Sequence, residues 1–506
     1  MGGDRVNLLT LTIILPSAGV LALAFVPREN TRLIKLIALA TSIVTLVVSL
    51  LILTKYKFGV PGFQLVESHS WFKVFNINYA VGLDGLALVL ILLTTVLVPI
   101  VIVGGWNESE NGRWSVKTFY ALILVLETSM VAVFAATDVF LFYVIFEAML
   151  VPVYFLIGGF GRGDRAAAAL KFLLYSLFGG LLMLAAVIGV FVVSLHQGPG
   201  SFDVTTLSHL KISHNTQDWL FLGFFIAFAI KAPLFPFHTW LPGAARSATP
   251  GTSILVLGVL DKVGTYGMIR FCLALFPDAS KTFAPYIIVL ALISIIYGAF
   301  LAIGQKDLNS LIAFTSISHF GFIVLGIFAM TSQGITGATL YMVNHGFSTA
   351  GLFLVGGWMI QRRQSTQVAD FGGLQRITPV MAWCFFIAGM SALALPGLSS
   401  FVSEFLVLIG TFTRYPAAAI IGTLGIVLAA LYVLILVQRS LHGPLQEGNE
   451  DISDLNLREK IAIAPVLVAL VLLGFYPKPA IHTIDPMTRQ IMAQISMSDP
   501  TPLAGK

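Results

Sequence analysis

The sequence predicts an all-α polytopic membrane protein of about fourteen transmembrane helices, with two inverted five-helix repeats and discontinuous helices seven and twelve. Three observations predict this. Of 506 residues, 57% are hydrophobic and 10% charged, where a soluble protein carries roughly 25% charged residues. Apolar runs of spanning length, roughly 20 residues each, recur along the whole chain. Two of those runs are broken by proline at corresponding places.

The runs fall near 5–26, 33–54, 84–104, 117–137, 139–159, 167–194, 219–246 (broken), 251–276, 284–304, 308–330, 335–361, 379–412 (broken), 417–437 and 460–476. No polar stretch between them is long enough for a soluble domain, so residues 1–506 read as a single membrane domain. The first run has no small-residue cleavage site and many like it follow, so it reads as a retained helix rather than a signal peptide. An even number of spans puts both termini on one side. Lys and Arg are more numerous in the loops after odd-numbered runs, which makes those loops cytoplasmic and both termini external. The net charge of +5 comes from basic residues set singly in short loops, which excludes a nucleic-acid surface. Cys272 and Cys384 lie in apolar runs, so neither a disulfide framework nor a metal cluster is expected.

The seventh run reads WLFLGFFIAFAIKAPLFPFHTWLPGAARS over residues 219–247. Pro233 and Pro236 each remove a backbone donor and clash with the preceding turn, so the segment splits into two half-helices. Pro396-Gly397 interrupts the twelfth run in the same way. Runs 4–8 (about 117–276) and 9–13 (about 284–437) form two blocks of five, each broken at its fourth member. Five is odd, so the second block starts on the opposite side of the membrane, as in an inverted repeat. Matching breaks in inverted repeats point to ion sites at mid-membrane.

A charge at the bilayer centre costs at least ~2.5–3.5 kcal/mol, so each one needs a reason. Glu147 lies midway along the fifth run, and Lys231, just before the first break, has the depth and sign to pair with it. Lys262 lies eleven residues into the eighth run, ~16 Å deep in a ~30 Å core, too far in to reach the surface. The neighbouring Asp261 points about 100° away on a regular helix and is not expected to be its partner. Arg270 reads as a residue near the external end that extends toward water. His319 and His345 lie mid-span in the tenth and eleventh runs, and histidine titrates closest to neutral pH. Their plainer reading is as hydrogen-bonded core residues. His238, just past the first break, reads either as a relay member or as a helix-end contact. Thr315, Ser316, Ser318 and Asn344 offer partners that would hold water between these groups. Glu404 lies in the second half of the twelfth run, and Phe401 three residues before it excludes a capping box. Glu127 in the fourth run ranks second among the carboxylates, while Asp84 and Asp138 stand at helix starts as caps. The glycines of GGFGRGDR (158–165) follow a transmembrane helix rather than a strand, so they form a loop and not a nucleotide fingerprint.

The motifs VGLDGLALVL (81–90), LFYVIFEAMLVPVYFLIG (141–158), AIKAPLFPFHTWLPGAARSATP (229–250), KDLNSLIAFTSISHFGF (306–322) and NHGFSTAGLFLVGG (344–357) resemble the antiporter-like membrane subunits of respiratory complex I, the proton-pumping NADH:quinone oxidoreductase. The resemblance covers the whole chain and is to the M type. It implies a hydrated polar axis through the membrane middle. By motif, Glu147 and Lys231 match the glutamate and broken-helix lysine of that axis, Lys262 its central lysine, and His319 and His345 its histidines. Glu404 matches the terminal acid of the M type, where sister subunits and cation/proton antiporter homologues typically place lysine. The resemblance implies a bacterial plasma membrane, sister antiporter-like chains as partners, and FMN, iron–sulfur clusters and quinone on partner subunits, with no cofactor on this chain. Two other readings are a subunit of a cation/proton antiporter or of a ferredoxin- or hydrogenase-linked complex, and a membrane scaffold whose charges are structural.

Overall fold

The computed structural model describes residues 7–110 and 112–500. Arg5 and Val6 of the first predicted run, and the chain ends whose side was predicted, lie outside them. Helices α1 (Leu8–Ala24) and α2 (Thr31–Ile52) precede a hairpin of β1 (Gln64–Phe72) and β2 (Ile77–Leu83). Then come α3 (Gly85–Gly104), α4 (Val116–Ala135), α5 (Val139–Ala148), α6 (Leu150–Phe160), α7 (Arg165–Leu195), the short α8 (Val204–Leu207), α9 (His214–Lys231) and α10 (Leu241–Ser247). The next span, Pro250–Leu273, contains α11 (Pro250–Leu255) and α12 (Lys262–Gly267), with π-helical turns at Val256–Leu260 and Met268–Leu273. It is followed by α13 (Pro277–Gly304), α14 (Leu308–Phe328), α15 (Ser332–Arg363), α16 (Pro379–Ala392), α17 (Ser399–Arg414), α18 (Pro416–Leu441), α19 (Leu457–Phe475) and α20 (Lys478–Gln494).

Every predicted run coincides with a helix or a broken pair. Nine segments among the described residues are long and apolar enough to cross a membrane, or ten if the bent pair α19–α20 counts as one. The other predicted runs fall short for identifiable reasons. The α1 and α16 helices are short, α9 and α17 are each half of a broken run, and α15 carries Asn344, His345, Ser348 and Thr349 along a wholly buried centre. Helix starts follow side-chain chemistry. Asp84, Ser115, Asp138, Asp307 and Thr331 each accept a backbone N–H in the first turn that follows them, satisfying donors that a helix leaves free.

Two elements depart from the all-α expectation. The β1–β2 hairpin forms where QLVESHSWF and INYAVGL flank a turn with Asn76 in the left-handed region (φ 53°). These strands are too short to stand out among apolar runs. After α19 the chain bends by 70° into α20, whose buried face packs on α3 and α15.

The core is formed by Pro250–Leu273, α14 and α15, which are almost wholly enclosed. Outer helices such as α7 and α18 turn Leu170, Leu174, Phe178, Leu181, Leu424 and Leu431 outward, the apolar face a bilayer requires. Polar residues of these enclosed segments bond one another, as Lys262 does His345, or a neighbouring helix, as Asn344 does Ser399 O.

Candidate functional site

The π-turn at Val256–Leu260 sets the position of the central lysine. The Asp261 N–H bonds Val256 O at 3.0 Å, so Leu257 O loses its usual partner four residues on. The Lys262 ammonium takes that carbonyl, together with Asp261 Oδ1 at 2.9 Å and His345 Nδ1 at 2.7 Å. Its three donors thus meet three acceptors. Asp261 is therefore the partner of Lys262, contrary to the expectation from regular helix geometry, because the lysine stem folds back along a widened turn. Gly264 lets this helix press on the end of α9: a Cβ there would lie 2.5 Å from Phe228 O and 2.6 Å from the Ala232 N.

From Lys262 the polar groups continue in one direction. The His345 Nε2 lies 3.2 Å from Thr349 Oγ1, and its ring centroid is 5.5 Å from that of His319. His319 Nδ1 lies 2.7 Å from the Tyr341 hydroxyl, and its Nε2 lies 3.5 Å from that of Tyr432. Glu404, 2% exposed on α17, has an Oε1 with no hydrogen-bond partner among the described residues and lies within electrostatic reach of both tyrosines. The structure brings Lys262, His345 and His319 into contact and places Glu404 beyond Tyr341. Thr315, Ser316 and Ser318 each donate to a helix carbonyl. Asn344 instead ties α15 to α17 through Ser399 O at 2.6 Å and Ser403 Oγ at 3.1 Å.

Lys231 closes α9, where the negative end of the helix dipole favours a cation. The backbone freed by the break is satisfied by side chains: Trp240 Nε1 donates to Ile230 O at 2.8 Å, and Phe235 N to Ser294 Oγ at 2.8 Å. Among the described residues the Lys231 ammonium has no hydrogen-bond partner, and it lies 4.8 Å and 5.5 Å from the ring centroids of Phe146 and Phe172. Glu147 forms no ion pair with it within 4.0 Å; its carboxylate rests against Gly180 of α7, while the two groups stay within electrostatic reach. The expected pair is thus open. On the Glu147 side the span Val139–Phe160 stays continuous, with Met149 N bonding Ile145 O at 3.0 Å between α5 and α6.

His238 is buried between the rings of Phe235 and Tyr297, its Nδ1 unpartnered among the described residues. It lines a cavity of about 820 Å³ shared with Arg162, Lys171, Thr239 and Arg246. Glu127 is fully enclosed and apart from this path, both oxygens unpartnered among the described residues. Arg270 does not extend to water. It is 6% exposed and bonds Asp84 Oδ2 at 2.6 Å, because the hairpin and α20 cover that end of the span.

A description of the NADH:quinone oxidoreductase/Mrp antiporter transmembrane family matches residues 136–430, and one for the amino terminus of NADH-ubiquinone oxidoreductase chain 4 matches residues 10–133. The chain belongs to the NADH:quinone oxidoreductase/Mrp antiporter membrane family. Among its relatives, the NADH-quinone oxidoreductase subunit M of Mycobacterium tuberculosis (strain ATCC 25618 / H37Rv) is 47% identical over 99% of this chain and 96% of its own. The subunit M of Rhodobacter capsulatus is 36% identical over 96% of each. A chain of respiratory complex I from Thermus thermophilus with bound NADH superposes with a TM-score of 0.87 at 29% identity, over 96% of this chain and 99% of that one. A chain of the Mrp complex from Dietzia sp. DQ12-45-1b, with a TM-score of 0.83 at 19% identity over 96% and 99%, shares the fold.

Within this family member, Asp261 meets Lys262 against the sequence expectation, and Tyr341 and Tyr432 join the site unforeseen. One signal for Tyr341 was present: it precedes His345 by four residues, which puts both on one helix face. Tyr432 comes from α18, and no local pattern ties it to His319.

Proposed function

We propose that the chain translocates protons across a bacterial plasma membrane as the M-type subunit of a proton-pumping NADH:quinone oxidoreductase. The observation that carries this reading is the buried, connected series Lys262, His345, His319 and Tyr341, ending near Glu404. A charged Lys262 donates to His345 Nδ1; passing that proton leaves a neutral amine and an imidazolium, and His319 and Tyr341 continue the transfer. The open pair of Glu147 and Lys231 serves as a switch. Closing it stabilises both charges, and opening it frees a proton from Lys231 toward Lys262. His238 and its cavity supply access from one side. FMN, iron–sulfur clusters and quinone belong to partner subunits, and sister antiporter-like chains flank this one.

We read the chain as fourteen spans in two inverted repeats, with both termini external. In support, one cavity of about 680 Å³ is bounded by Glu108, Arg162, Thr249, Gln364 and Arg458, all in or beside connections after odd-numbered runs. A cysteine replacing Gly163 should be labelled from the cytoplasmic side only; external labelling overturns this orientation. The function is tested by purifying the native assembly. Flavin and iron–sulfur absorbance with NADH-dependent quinone reduction and proton uptake into liposomes are expected. Cation/proton exchange without NADH oxidation would favour the antiporter reading instead.

A further inference from the structure

A second cavity, of about 450 Å³, opens on the face that carries the hairpin, α8 and α20. Its wall includes Thr205, Ser208, His209, Arg270, Gln490 and Gln494. Arg270 is the fixed cation in that wall, and its compensating carboxylate, Asp84, is not part of the wall. Asp84 instead caps α3 through the Ala87 N–H at 3.0 Å while accepting from Arg270 Nη2 at 2.6 Å. The pair therefore presents its positive member to the cavity. Arg270 Nε also donates to the Tyr266 hydroxyl at 3.3 Å, and that hydroxyl donates to Phe134 O at 3.0 Å. The guanidinium is flanked by Phe63 and Tyr266, 4.8 Å and 5.3 Å to the ring centroids.

Arg270 and Lys262 lie on the same span, eight residues apart, or ~12 Å at 1.5 Å per residue. A subunit that moves protons through Lys262 must keep them from returning by the shortest route. A proton wire needs every member to accept as well as donate. A guanidinium has five donors, no acceptor, and a charge it does not lose. The next polar group inward, Tyr266, has its proton committed to Phe134 O. A cation set in a narrow, low-dielectric constriction also repels hydronium, as in pores that exclude protons.

We propose that Arg270, held by Asp84 and Tyr266, seals this cavity against proton return toward Lys262. The inference rests on the reading of Lys262 as a proton carrier. The seal is a function separate from the transfer path, since the hydrogen bonds of Arg270, Asp84 and Tyr266 run to one another, to Ala87 N and to Phe134 O rather than to His345, His319 or Glu404.

The test uses the purified complex in liposomes. The double variant Asp84→Asn with Arg270→Gln removes both charges together, so no buried charge is left alone, and it places an acceptor where none stood. At rest, under an imposed pH gradient, its passive proton influx should rise several-fold over the parent, with fewer protons moved per electron. An assembled double variant with parental leak and stoichiometry overturns the seal. A second measurement leaves Arg270 untouched and does not depend on assembly of that variant. Ser208→Cys, at a half-buried position in the cavity wall, is reacted with an anionic and a cationic methanethiosulfonate of similar size. The anionic reagent should react several-fold faster, relative to a free thiol; equal rates, or a faster cationic reagent, overturn the proposal. Whether the parent complex pumps is measured separately, so failure of the proton-carrier reading is distinguishable from failure of the seal.

Discussion

Replacing Lys262 by methionine alone strips an ammonium from three acceptors in a site that is fully enclosed. Asp261 then loses the contact at 2.9 Å to its Oδ1, and its Oδ2 has no hydrogen-bond partner among the described residues to fall back on. Removing one partner of a buried ion pair costs about 3–5 kcal/mol, a large share of the roughly 5–15 kcal/mol that holds a domain together. Removing both charges is often close to neutral, since neither is left uncompensated. Lys262→Met should therefore lower the thermal midpoint of the complex or impair its assembly. Asp261→Asn combined with Lys262→Met should recover most of that loss, and neither variant should pump. The assays are native mass, thermal midpoint and NADH-driven proton uptake into liposomes. A double variant that assembles and pumps at parental rates refutes Lys262 as a proton carrier. A single variant as stable as the double refutes the ionic pair, because it means Asp261 carries no charge to be stranded.

Three further outcomes follow from named contacts. Gly180→Ala puts a methyl where the Glu147 carboxylate rests but improves helix propensity by up to ~1 kcal/mol, so pumping should fall severalfold without loss of thermal stability; unchanged pumping would show that the open position of Glu147 is dispensable. Glu404→Gln should cut proton uptake by the assembled complex, with partial retention in Glu404→Asp, and parental uptake in the Gln variant would remove Glu404 from the path. Glu108 accepts from Gly251 N at 3.1 Å and 3.0 Å, yet burial pushes its carboxyl above the usual range against that bond, the Thr249 hydroxyl and the Arg162 charge. Its folded value is raised, so its contribution to stability is full below the ordinary glutamate value and is lost as pH rises through the raised one; Glu108→Gln should flatten the thermal midpoint across that window, and an unaltered pH profile would exclude Glu108 as its source.

The membrane class, the position of each run and the two breaks were legible in the chain itself. Apolar runs of spanning length have no other stable use in water, and proline ends a helix whatever surrounds it. The depth of Lys262, His319, His345 and Glu404 followed from counting residues along those runs. The cost of burying charge then marked them before any contact was known. Partnerships were not legible in the same way. The Asp261–Lys262 contact depends on a π-turn, a change of one hydrogen bond that leaves no compositional trace. The open distance between Glu147 and Lys231 depends on how closely α5 packs on α7 at Gly180. Arg270 was placed at a surface by its position in the run. The hairpin and α20, which alternate too briefly or follow the last run, fold over that end and enclose it with Asp84. Sequence determined which groups are buried, because burial of a run is a local property of its side chains; tertiary structure decided which of them meet, because hydrogen bonds in a low-dielectric core are set by distances between helices far apart in the chain.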